Sequence, residues 1–189
     1  KEVIAFIPDF LDAPTVLGIG EIGLNKNTRN ELTVFELQVE MAVARGLLIW
    51  IHTPHLNDKL KGTRLMLDCL KAHGRVNPDR VCFDHAEEHT VGLIRDAGFW
   101  AAMTIYPITK NSPARVVDTL EQLGPERLLV DASGDWGPSD PATLHQAVFE
   151  MRRRGYDDDQ VEAVFYDNPC LFLGQCPKFK PRPRRRGTP

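Results

Sequence analysis

Val16-Leu-Gly-Ile-Gly-Glu-Ile-Gly23 and Leu47-Leu-Ile-Trp-Ile-His52 are short apolar runs, each broken near its end by one polar side chain, a carboxylate in the first and an imidazole in the second. Between them Leu32, Phe35, Val39 and Ala42 recur at the spacing of one helix face, with Thr28 and Glu31 spaced as a capping box and Gly46 placed to stop the helix. The stretch reads as strand, helix, strand, and the unit repeats outward from it. Leu60, Met66, Leu67 and Leu70 mark a helix before Gly74, Arg80-Val-Cys-Phe-Asp84 is a strand, and a helix near 88–96 closes at Gly98. Phe99-Trp-Ala-Ala-Met-Thr-Ile105 is a fourth strand. Ser112 and Pro113 open its helix, which turns Val116, Val117, Leu120 and Leu123 inward before Gly124. Leu128-Leu-Val-Asp131 opens a fifth strand, and Asp140-Pro141 starts a helix carrying Leu144, Val148 and Met151. Upstream, Val3 to Leu11 reads as a helix feeding the first strand.

Five strand–helix units in series predict an α/β fold with a parallel sheet and helical crossovers. The two common solutions are an open doubly wound sheet and a (β/α)8 barrel. A complete barrel needs about 250 residues, so five strands in 189 residues read as an incomplete TIM barrel lacking its first strands, or as a small open sheet. The polar residues separate the two. Glu21 sits in a glycine-rich strand end, His52 directly follows the second strand, and His85 directly follows the third. Asp131, Ser133 and Asp135 alternate along the end of the fifth and can share one face. In a parallel barrel these ends converge on one mouth. Two imidazoles and two or three carboxylates there form a ligand set for zinc, manganese or a similar divalent ion.

Each residue also has a plainer reading. A strand-end histidine taken singly is commonly a hydrogen-bonded core residue, but His52 and His85 at equivalent places in successive strands favour ligation. A lone glutamate in a buried strand is rare unless paired or ligating. Asp131 and Asp135 have alternatives as loop and N-cap residues. His73 reads as a helix C-terminal cation and His145 as a mid-helix residue. Gly18, Gly20 and Gly23 match the Gly-x-Gly-x-x-Gly spacing of dinucleotide binders, yet Glu21 stands where a pyrophosphate would approach and the helix starts only after Thr28.

Composition narrows the class further. The chain is 42% hydrophobic and 26% charged, with a net charge of -3 and a mean hydropathy of -0.28, which argues against disorder and collagen. The longest apolar run, Gly46 to Ile51, is too short to cross a bilayer. Six basic side chains crowd into Lys178 to Pro189, leaving 17 basic against 26 acidic groups in residues 1–177. The expected organisation is therefore a partial barrel domain over 1–177 and a disordered Pro/Arg-rich tail over 178–189. An acidic body disfavours a general nucleic-acid grip, the tail being the segment able to touch phosphate. Cys69, Cys82, Cys170 and Cys176 have no Cys-x-x-Cys spacing, which reads as reduced thiols in a cytoplasmic protein.

Gly20-Glu-Ile-Gly-Leu24 resembles the signature of the TatD-like metal-dependent hydrolases, TIM barrels of the amidohydrolase superfamily. Glu36-Leu-Gln38, Ile51-His52-Thr53 and Asp84-His85 follow in the family's order. An uncharacterised TatD-related branch looks closer still, through His52-Thr-Pro-His55, Asp84-His85 with Glu88 and Thr90, Asp135-Trp-Gly-Pro-Ser-Asp-Pro141, and Phe172-Leu-Gly-Gln175. The resemblance covers most of residues 15–180. It implies one or two divalent ions, Zn, Mn or Mg, with Glu21 bridging them and His52 and His85 completing the second ion's shell. A strand-end aspartate would bind the first ion and act as base on its water. Asp135 fits the branch, and Asp131 remains the alternative. His55, Thr104, Tyr106 and Lys110 fall where substrate contacts are implied. The family's first strand carries a His-x-His pair that does not occur here, which together with the Lys1 start leads us to expect a fragment.

The implied chemistry is metal-assisted hydrolysis of a phosphodiester or of a small-molecule ester or amide, with no membrane partner. The competing expectation is a non-catalytic remnant or binding module that keeps the barrel surface without the His-x-His strand.

Overall fold

A computed structural model describes residues 2–106, 109–134 and 138–183. The stretch read as one helix over 3–11 forms two, α1 (Glu2–Phe6) and α2 (Pro8–Leu11), because Pro8 brings no N–H to continue the ladder. Then come β1 (Gly18–Gly23), α3 (Arg29–Ala44), β2 (Leu48–His52), α4 (Lys59–His73), β3 (Val81–Asp84), α5 (Glu88–Asp96), β4 (Trp100–Ile105), α6 (Pro113–Leu123), β5 (Leu128–Ala132) and α7 (Thr143–Arg153). All neighbouring strands pair in parallel, in the order β1-β2-β3-β4-β5. This is the sheet of an incomplete (β/α)8 barrel.

The caps form as the residues demand. Glu31 N donates to Thr28 Oγ1 and Thr28 N to Glu31 Oε2, which closes the capping box of α3. Ser112 Oγ accepts from Arg115 N at the head of α6. The last helix departs from its expected start. Asp140 Oδ1 accepts from Ala142 N and its carbonyl from Thr143 N, so Asp140 holds a turn and α7 begins only at Thr143. Beyond Gly155 come elements the sequence reading lacked. A capping box between Asp157 and Gln160 opens α8 (Asp158–Glu162), which runs through a π-helical turn (Ala163–Asp167) into α9 (Asn168–Leu173).

The two faces of the sheet bury different partners. On the outer face Ile49, Ile51, Phe83, Met103, Ile105 and Val130 pack against Phe35, Val39, Met66, Leu70, Val91, Ile94, Val117 and Leu120 of the crossover helices. On the inner face Leu48, Trp50, Cys82, Trp100, Ala102 and Leu129 are closed over by Phe172 and Cys176. The Phe172 ring centroid lies 5.7 Å from both Trp50 and Trp100. Asn168 Nδ2 donates to the carbonyls of Pro125 and Leu128, fixing α9 beneath the start of β5.

Two residues further along, the inner face changes character. Asp84, Thr104 and Asp131 stand one pleat beyond Cys82, Ala102 and Leu129. The apolar floor thus ends in a polar layer at the C-terminal edge of the strands.

The four cysteines are free, with Cys82 and Cys176 buried. Lys178, counted with the basic tail, donates to the carbonyls of Leu11 and Ala13 and ties the chain back to α2. The Tyr166 hydroxyl donates to the Arg182 carbonyl, and only 184–189 of that tail lie outside the described residues. Among the described residues no helix is long and apolar enough to cross a membrane.

Candidate metal centre

The site begins with an irregularity in β1. Its register against β2 shifts between Ile19 and Ile22, at Gly20 and Glu21. A Cβ at Gly20 would lie 2.6 Å from the Trp50 Cβ, so only glycine lets β1 approach β2 this closely beside Glu21. Glu21 Oε2 lies 3.1 Å from His52 Nδ1 and 3.5 Å from His85 Nε2. The two imidazoles meet edge to face at 4.9 Å. One ligand atom from each of the three residues falls within 4.8 Å of the others.

His85 reaches this point through its backbone. Its φ of 57° is left-handed, uncommon outside glycine, and directly follows the last residue of β3. The His85 N–H donates to Asp84 Oδ1 at 2.6 Å, and its Nδ1 lies 3.3 Å from the same oxygen. Two successive residues therefore serve one side of the sheet. Asp84 also accepts from Trp50 Nε1 at 2.7 Å and from the Thr104 hydroxyl at 2.8 Å.

The charges follow from these contacts. Burial pushes the Asp84 carboxyl upward, but hydrogen bonds and charge from His85, with Trp50 and Thr104, outweigh it and hold the group below its ordinary value. Burial disfavours His85 as a cation, yet the Asp84 and Glu21 carboxylates prevail and raise it to about 9. Hydrogen bonds from His52 and then His85 keep Glu21 well below the usual carboxylate range. Asp131 goes the other way. Burial and then the Asp84 charge lift it to about 8. Although the residue as a whole is half-buried, its Oδ2 is shut off from solvent and has no hydrogen-bond partner among the described residues.

The triad opens onto a cavity of about 580 Å³, also lined by His55, Tyr106, Lys110 and Ser133. His55 stacks over His85 at 5.8 Å. Asn25 Oδ1 accepts from the backbone N–H groups of His55 and Leu56 and so fixes this loop. Burial, then the nearby Lys59 and Lys110 charges, lower His55 to about 4, leaving its imidazole neutral at pH 7. Lys59 Nζ donates to the His85 carbonyl at 2.7 Å and to Thr53 Oγ1, and meets Glu87 at 3.4 Å. Lys110 Nζ lies 3.1 and 3.2 Å from the two His85 ring nitrogens. The Tyr106 hydroxyl is buried without a partner among the described residues.

Of the residues singled out from sequence, Glu21, His52 and His85 converge, and His55, Tyr106 and Lys110 line the same cavity. Thr104 does not touch it. It is 1% exposed and lies beneath His85, bonded to Asp84 and His85, because it shares the inward pleat of β4 with Trp100 and Ala102. Asp131 sits in that same layer rather than on the cavity wall. Asp135 lies outside the described residues. Sequence reasoning missed Lys59 and Asn25 altogether, since a lysine opening a helix and an asparagine after a strand carry no distinguishing pattern.

The donor set suits a divalent ion. Tetrahedral ligands held at roughly 2.0–2.1 Å stand about 3.3 Å apart, close to the 3.1 and 3.5 Å separations seen here. The family described as TatD related DNase matches the chain over residues 1–174. The chain belongs to the TatD family. An uncharacterized metal-dependent hydrolase of Methanocaldococcus jannaschii is 28% identical over 174 residues, which is 90% of this chain and 66% of that protein. The crystal structure of a TatD-like protein from Archaeoglobus fulgidus superposes with a TM-score of 0.67 at 25% identity, covering 90% of this chain and 65% of that one. A phosphotriesterase homology protein from Escherichia coli, complexed with phosphate in its active site, shares the fold at 20% identity with a TM-score of 0.69, over 84% of this chain and 59% of that one. This TatD chain thus spans 59–66% of the length of these three relatives.

Proposed function

We propose that the protein is a divalent-metal-dependent hydrolase, with Glu21, His52 and His85 as ligands and a phosphodiester or a small-molecule ester or amide as substrate. The observation that carries the reading is the convergence of three ligand-type side chains, from three adjacent strand ends, at the mouth of a large cavity. A bound zinc, manganese or magnesium ion, or a pair of them, would supply Lewis acidity toward water and the scissile group.

The chain's own residues do the rest. Glu21, held ionised, supplies the anionic ligand and orients both imidazoles. Lys110, reaching the cavity from beyond β4, is placed to neutralise negative charge developing on the substrate. Neutral His55 offers one donor and one acceptor above His85. Tyr106 lines the wall as a substrate contact. Asp135 is proposed as the base that takes the proton from water, with Asp131 supporting the layer below. The excess of acidic over basic groups in residues 1–177 favours a small or phosphodiester substrate over a long nucleic-acid track, and the unpaired cysteines suit the cytoplasm.

The test is metal content by elemental mass spectrometry after purification without chelator, followed by zinc titration of wild type, Glu21→Gln and His85→Gln. Near-stoichiometric metal in wild type, with affinity reduced at least tenfold in each variant, is expected. Equal binding by all three overturns the site. Hydrolysis of bis(p-nitrophenyl) phosphate and p-nitrophenyl acetate, with and without chelator, then separates the bond classes. Binding without turnover of any ester would establish the non-catalytic alternative.

A further inference from the structure

The buried side of His85 leaves its protons little freedom. Asp84 is acceptor to three donors, Trp50 Nε1–H on Oδ2 and both the His85 backbone N–H and the Thr104 hydroxyl on Oδ1. A carboxylate receiving three N–H or O–H groups has no proton of its own to give. A hydroxyl has only one. With that proton committed to Asp84, Thr104 Oγ1 can only accept, and its 2.7 Å contact with His85 Nδ1 requires that this nitrogen carry hydrogen.

We propose that Thr104 sets the tautomer of the neutral His85 imidazole, with Nδ1–H donating to Thr104 Oγ1 and Thr104 donating onward to Asp84, so that Nε2, beside Glu21, is the nitrogen that gives up its proton to a cation. The consequence for a metal rests on the function proposed above, while the tautomer stands independently of it. Only a nitrogen without its proton can bind a cation, and a ligating histidine is normally oriented by what its other nitrogen contacts. Asp84 Oδ1 lies 3.3 Å from Nδ1 and the Thr104 hydroxyl 2.7 Å, so Asp84 acts on the ring by its charge and Thr104 supplies the closer acceptor. Lys110 is nearly equidistant from Nδ1 and Nε2 and discriminates between them by neither distance. Thr104 is therefore a positioning residue, buried away from the cavity, and its threonine identity follows from a need for one donor and one acceptor on a single atom.

Ring 15N–1H correlation spectra of metal-stripped protein, taken at an alkaline pH where His85 is neutral, read the tautomer directly, with the His85 signals assigned by their loss in His85→Gln. Wild type should show Nδ1 protonated and Nε2 bare. Thr104→Val, which keeps the shape but removes the hydroxyl, should shift the population toward Nε2–H, and Thr104→Ser should restore it. Zinc affinity should fall roughly 10- to 100-fold in Thr104→Val and recover in Thr104→Ser. An Nε2–H tautomer in wild type overturns the proposal without recourse to any variant. So does a tautomer unmoved by Thr104→Val, which would assign the ring's orientation to the direct Asp84 contact. Wild type that shows Nδ1–H yet takes up no zinc supports the relay and sinks the metal reading instead.

Discussion

Asp131→Asn should stabilise the protein by an amount that grows with pH. Asp131 shares the inner polar layer with Asp84, and burial together with that neighbouring charge raises its pKa from 3.8 to about 8. The folded state therefore keeps a proton that the unfolded chain releases near pH 4. The resulting stabilisation is fully present below pH 4 and is lost as pH rises through 8. Over that window the slope is about 1.4 kcal/mol per pH unit, giving a total on the order of 5 kcal/mol. Asparagine carries no titrating proton, and its amide can still donate toward Asp84 as the protonated acid would. The difference between variant and wild type should therefore be near zero at pH 4 and approach its full value at pH 8. The raised His85 also makes stability fall with pH, above its unfolded value of 6.5, and the depressed Glu21 makes it fall as the solution is acidified. Both occur in either protein and largely cancel in the comparison. Urea unfolding at pH 4, 6 and 8 with chelator present, followed by far-ultraviolet circular dichroism, gives the three differences. Parallel stability profiles, or an asparagine variant less stable at pH 8, would refute the reasoning.

Two further substitutions probe the scaffold. Phe172→Ala removes the ring lodged against Trp50 and Trp100 and should cost about 3–5 kcal/mol in urea unfolding with a red-shifted tryptophan emission; a loss below about 1 kcal/mol would mean α9 does not close the inner face. A Cβ at Gly62 would sit 2.2 Å from Pro54 Cγ and 2.3 Å from Asn27 Oδ1, so Gly62→Ala should destabilise by about 1–3 kcal/mol by forcing the loop that carries His55 outward. Gly92→Ala, where nothing lies within 4 Å, should instead gain up to about 1 kcal/mol from helix propensity, and like signs for the two would contradict the steric account.

The strands and crossover helices were legible because each carries its own local signal, an apolar run followed by a 3.6-residue period and a capping residue. Glu21, His52 and His85 were legible because each interrupts such a run at its end. Thr104 was named only through the family resemblance, as an implied substrate contact, whereas the pleat that turns Trp100 and Ala102 inward turns Thr104 under His85. Alternation counted from Trp100 would have shown it. Lys59 had no such signal. Its burial arises from the fold of the β2–α4 connection, which brings its ammonium to the His85 carbonyl. The elements after Gly155 were missed although Asp157 and Gln160 spell a capping box, because α8 and α9 are too short for a periodic apolar pattern to emerge.

The three candidate ligands also follow one another along the chain. Glu21, His52 and His85 lie on β1, β2 and β3, consecutive in the chain and adjacent in the sheet, each one strand–helix unit after the last. No long-range crossing is needed to bring them together, and the loops to be closed are the shortest a parallel sheet permits. In the chain's own order the three side chains come first, Thr104 follows 19 residues after His85, and the Phe172 floor comes later still. Within this stretch the proposed ligands precede the residues that close the inner face beneath them, so a site for an ion would need only the first three strands to pair.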